Sequence, residues 1–127
     1  MNTRLDLEYR DASNYRANAS VVVKGEITQE MICHIDQNLE DGMFIISHQV
    51  GLPTPAERLH GEYGGADEDD HVFTALEEWE DGDLPSVEDL LTCDAPTIDM
   101  TVDVLAQKIG SAYWDVGAEM IRQDLPV

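Results

Sequence analysis

Apolar and polar positions alternate at the start of the chain. Leu5, Leu7 and Tyr9 are separated by Asp6 and Glu8 and followed by Arg10, a period of two that predicts a strand with one wet face. Asp11-Ala12-Ser13-Asn14 is turn chemistry. The β-branched run Val21-Val22-Val23 within residues 19–24 suits a second strand, and a hairpin is the simplest pairing of the two. The period then changes. Thr28 is a good N-cap, and Met31, Ile32, Ile35 and Leu39 recur at helical spacing opposite Glu30, Gln37 and Glu40. Asp41-Gly42 stops that helix, and residues 43–46 form a short apolar strand.

Gly51, Pro53 and Pro55 break regular structure, and residues 58–70 read as an exposed loop. Val72, Phe73, Leu76 and Trp79 fit either a strand or a short helix, and Asp81-Gly82-Asp83 is a turn. Pro85 or Ser86 opens a short helix through Leu91 that Asp94-Ala95-Pro96 ends. Thr101 caps a further helix with Val102, Leu105, Ala106 and Ile109 inward, and Gly110 ends or bends it. A last helical stretch runs over 114–121, with Val116, Met120 and Ile121 as its apolar positions. The expected fold is α+β: a small antiparallel sheet in a β-β-α-β unit (1–58), an acidic loop region (59–84) and a helical part (85–127), all in one domain.

Charge alters this ordinary picture. The formal net charge is −20, and residues 59–107 carry fifteen acids with no lysine or arginine. With 43% apolar residues the chain can still build a core. The acidity excludes nucleic acid and anionic membrane as direct partners, because phosphate recognition needs Lys and Arg. A basic protein or a cation is the expected partner. No apolar run approaches the ~18 residues of a membrane span, and no secretory signal opens the chain, so a reducing cytoplasm is the default. Cys33 and Cys93 form neither a disulfide framework nor a metal motif and read as buried thiols.

Candidate chemistry thins under inspection. A calcium loop starting at Asp67 puts His71 and Val72 where a ligand and a glycine are needed, which leaves only weak divalent binding open at Asp67, Glu68, Asp69 and Asp70. His60, Glu62 and His71 lack metal-ligand spacing, so no metal and no cofactor are expected. Ser47-His48 and Cys33-His34 are adjacent pairs whose side chains diverge, and acid pairs such as Glu77-Glu78 are unremarkable in so acidic a chain. The chain is therefore expected not to be an enzyme.

What remains is the acidic surface. Carboxylates three or four positions apart on a helix lie about 5–6 Å from each other, and same-face carboxylates on a strand lie about 6.6 Å apart. Both spacings approach the charge density of a nucleic acid. The partner-binding residues expected on this basis are Asp67, Glu68, Asp69, Asp70, Glu77, Glu78, Glu80, Asp81, Asp83, Glu88 and Asp89. Trp79 among them serves either as core or as an interface anchor.

In size and composition the chain resembles the small acidic nucleic-acid mimics that phages and mobile elements use against restriction or CRISPR systems. The resemblance implies a protein that blocks the basic groove of a defence nuclease or CRISPR effector by charge competition. Separately, the stretches EYRDASNY, VVVKGEIT, DGMFIISHQVGLP and DDHVF resemble a family of short uncharacterised bacterial and mobile-element proteins over about the first 73 residues, which implies a compact N-terminal unit. Two alternatives stand beside mimicry: an acidic protein–protein interaction or regulatory domain, and a cytoplasmic protein adapted to high salt. A homodimer is left open.

Overall fold

A long hairpin organises the computed structural model, which describes residues 1–62, 70–80 and 82–125. Strands β1 (Asn2–Arg10) and β2 (Arg16–Val23) pair antiparallel from Thr3↔Val23 to Arg10↔Arg16. The turn between them uses the expected residues. The Asp11 carboxylate accepts the Tyr15 N–H at 2.9 Å, and Asn14 takes the left-handed conformation that Asn tolerates, at φ 69°.

The order continues with α1 (Gln29–Asn38), β3 (Phe44–Ile45), a 3-10 turn (Ser47–Val50), α2 (Ala56–Glu62), β4 (Thr74–Leu76), a second 3-10 turn (Glu77–Trp79), α3 (Val87–Leu90), β5 (Leu91–Thr92), α4 (Val102–Gly110) and α5 (Val116–Gln123). The five strands form one open antiparallel sheet in the order β2-β1-β4-β3, with β5 also on β1. The class is α+β, as expected. The sheet nevertheless reaches into the acidic half, since β4 and β5 occupy the second edge of β1 at Leu7↔Leu76 and Thr3↔Leu91. The ambiguous stretch around Leu76 resolves as both alternatives in succession, a strand and then a 3-10 turn.

Alternation divides the sheet into two faces. Leu5, Leu7, Val21, Val23, Ile45 and Leu76 point inward and pack with Ile32 and Ile35 of α1 and with Val102, Leu105, Ala106 and Ile109 of α4. Arg4, Asp6, Glu8 and Arg10 alternate with those positions and face outward. Gly110 lies where α4 meets α1, and a Cβ there would come within 1.8 Å of His34 Nε2, so a larger residue requires the exposed His34 ring to move. The caps read from the sequence at Thr28 and Thr101 are in place, accepting from the Met31 and Val104 N–H groups. Of the two openings read for α3 it is Ser86 that caps, in a box with Asp89, while Leu91 leaves the helix for β5. Thr101→Ala is expected to cost about 1 kcal/mol in urea denaturation, with Thr101→Ser close to neutral. Equal losses in the two would mean the hydroxyl does not cap.

Three expectations are corrected. Residues 58–62 belong to α2 instead of a loop, because Ala56 and Leu59 bury against Tyr9 and Ala17. Cys93 is exposed and Cys33 half-buried, so neither is a core thiol. The last helix begins at Val116, capped by Asp115, and turns its polar side inward: Glu119 is 2% exposed and Ile121 81%. Among the described residues no helix is long and apolar enough to cross a membrane.

Candidate functional site: a carboxylate cluster on the outer sheet face

The outer face gathers acids from two distant segments. Asp6 and Glu8 stand two residues apart on β1, which places both on one side of the sheet. The 3-10 turn after β4 then lifts Glu77 and Glu78 over the same strand. Oxygens of Asp6, Glu77 and Glu78 all lie within 4.8 Å of one another. Glu80 follows at the end of that turn and acts electrostatically on Glu77.

Four of the carboxylates have named partners. Arg4 Nε donates to Asp6 Oδ1 at 3.1 Å, and the Ser20 hydroxyl donates to the same oxygen at 2.6 Å. Arg10 Nη2 lies 3.2 Å from Glu8 Oε1. Asn18 Nδ2 donates to Glu77 Oε1 at 2.9 Å. The backbone N–H of Asp6 donates to Glu78 Oε1 at 2.9 Å. Five carboxylates therefore share the patch with two guanidinium groups, Arg4 and Arg10.

That crowding has a price in ionisation. Burial, the largest influence, pushes the Glu78 carboxyl up to about 7, and the Asp6 and Glu77 charges push the same way against the pull of the Asp6 N–H. Glu77 is also raised, by burial first, then by its hydrogen bond to Glu8 and the charges of Asp6, Glu8 and Glu80. With the Glu78 carboxyl at about 7, the cluster carries less than its formal charge near neutral pH. The Asp6, Glu77 and Glu78 oxygens are of the kind a hard divalent cation takes. All three carboxylates already have protein partners.

The acids expected from the sequence distribute unevenly. Glu77, Glu78 and Glu80 are in the cluster. Asp67, Glu68, Asp69 and Asp81 lie outside the described residues. Asp70 is structural: its side chain is 6% exposed, accepts the Tyr9 hydroxyl at 2.5 Å and lies 3.4 Å from His60 Nε2. Burial, followed by that hydrogen bond, raises the Tyr9 hydroxyl above its ordinary range. Asp83 and Glu88 are exposed, while Asp89 closes the cap of α3 with the Ser86 N–H at 3.0 Å. Trp79 is 1% exposed in the main core, which removes it as a surface anchor. His71 is committed as well, through Nε2 to the Arg10 carbonyl and Nδ1 to the Phe73 N–H.

Asp6 and Glu8 lie far in sequence from the acid-rich middle of the chain and are not part of the expected set. The signal that marks them is the alternation of β1, which puts both on the wet face opposite Ser20 and Asn18 of β2. Comparison with family models, curated proteins and solved structures gives no match.

Proposed function

We propose that the outer face of the sheet docks into the basic groove of a nucleic-acid-binding protein, of the kind found in defence nucleases and CRISPR effectors, and displaces nucleic acid by charge competition. The observation that carries this reading is the convergence of Asp6, Glu8, Glu77, Glu78 and Glu80 on one face, each on a defined backbone element. Anchors from the backbone and from Asn18 and Ser20 hold three of these groups in place before any partner arrives. Their mutual repulsion is then borne in folding, and binding adds attraction without a further ordering cost. Long-range steering toward a cationic cleft follows from the −20 formal charge and weakens as salt rises. The alternative, an acidic interaction domain anchored by Trp79, loses support from the burial of that side chain.

The test neutralises the face without changing its shape: Asp6→Asn, Glu8→Gln, Glu77→Gln and Glu80→Gln together. Competition with labelled DNA is measured on a panel of purified defence nucleases and CRISPR effectors at low and moderate salt. The parent chain is expected to compete in a salt-sensitive way and the variant about tenfold less well. A folded variant that competes as strongly as the parent overturns the reading.

A further inference from the structure

Resting on that reading, we propose that the hollow beside the cluster is a socket for one arginine side chain of the basic partner. Small and large side chains alternate across the strands to make it. Glu8, Ala75 and Phe44 sit opposite one another on β1, β4 and β3, so they share one row of the outer face. Ala75 has only a methyl group between a carboxylate and a ring, and the row dips there. Phe73, two residues before Ala75, is on the same side and its ring centroid lies 6.0 Å from that of Phe44. With Met43 and His71 they line a cavity of about 360 Å³ that Glu8, Glu80 and Arg10 complete. That volume is at the lower end of the range for small-ligand sites.

The chemistry of the walls selects the occupant. An apolar floor suits a methylene stem, ring faces attract a cation, and carboxylates at the mouth accept N–H donors. Lysine also offers a stem and a charge. A guanidinium is planar, less strongly hydrated, stacks on rings and forks onto carboxylates, so the ring faces and the carboxylates favour arginine. Arg10 reaches Oε1 of Glu8 from the rim with its own side chain half-exposed, and the incoming head group lies between Glu8 and Glu80. Charge complementarity sets the class of partner, a basic polypeptide, and the hollow sets which of its residues enters.

The experiment compares a hexa-arginine with a hexa-lysine peptide of equal charge, by fluorescence anisotropy at fixed ionic strength, on the full chain. The arginine peptide is expected to bind about fivefold more tightly. Ala75→Leu fills the hollow with every carboxylate retained, and Phe73→Leu removes a ring without filling it. Each is expected to abolish the preference while lysine binding persists, with thermal melts confirming a folded chain. Should Ala75→Leu fail to fold, Phe73→Leu alone decides. Equal affinities in the parent chain, or a preference that survives in the folded variants, overturn the socket and leave the acidic face intact. Binding of neither peptide overturns both the socket and the proposed function.

Discussion

Arg122→Ala is expected to destabilise the chain by about 3 kcal/mol in urea denaturation, a large effect for a surface-facing arginine on the last helix. The reason lies in what it leaves behind. Glu119 is 2% exposed, and Arg122 meets its carboxylate with two parallel hydrogen bonds of 2.7 Å, from Nε to Oε1 and from Nη2 to Oε2. Gln123 Nε2 adds a third at 2.6 Å. Arg122 also reaches Glu57 through Nη1 at 2.5 Å and Thr54 through Nη2 at 3.0 Å, which ties α5 to the start of α2. Burial works to raise the Glu119 carboxyl, but the hydrogen bonds from Arg122 and Gln123 and the Arg122 charge outweigh it and hold the group below its ordinary range. Removal of the guanidinium strands a buried charge. Arg122→Lys is expected to recover little, because an ammonium cannot make the paired contact. Glu119→Gln in the Arg122→Ala background is expected to restore part of the loss, because no charge is then left unpaired. A loss below about 1 kcal/mol for Arg122→Ala would show that Glu119 is solvated and the pair unimportant.

The same helix marks where the sequence misleads. Val116, Met120 and Ile121 are the apolar positions of α5, and a hydrophobic stripe normally faces the core. Here Ile121 is 81% exposed, and the inward positions are filled by Glu119 and Gln123 with their hydrogen-bond partners. Polar satisfaction by Arg122 is a tertiary event with no signature in the local pattern. Elsewhere local signals suffice. The alternation of β1, the β-branched run of β2 and the hydroxyl caps at Thr28 and Thr101 all act within a few residues, and the structure has them as read. The apolar run at 43–46 also gives β3 as read, whereas β4 and β5 are different, since pairing with distant β1 decides them. The site follows the same division. Glu77, Glu78 and Glu80 were legible as an acid run. That Asp6 and Glu8 join them depends on β4 choosing β1 as its neighbour.

Glu78→Gln is expected to stabilise the chain at about pH 8 by roughly 1–2 kcal/mol and to change little at about pH 5, after allowance for the partial exposure of the group. In the folded chain the Glu78 carboxyl loses its proton at about 7, against 4.5 for the ordinary group. Between those values the folded chain holds a proton that the unfolded chain has released. Stability contributed by this group is therefore present below the lower value and falls as pH rises toward the upper one. Glu77 is shifted in the same direction and adds to the trend. Glu119 is shifted oppositely, so its contribution is present above the ordinary carboxylate range and fades as the solution becomes strongly acidic. The two tendencies place the stability maximum on the mildly acidic side of neutral. Glutamine is isosteric, carries no charge and keeps a carbonyl oxygen for the Asp6 N–H, so the contact at 2.9 Å survives while the repulsion does not. Thermal melts of both chains across this pH range give the answer. The parent's melting temperature is expected to fall from about pH 5 to about pH 8, and the variant's to fall less. A variant less stable than the parent at the alkaline end would mean that Glu78 works as a charged partner of the Asp6 N–H, and the crowding of the outer face would then lose its energetic basis.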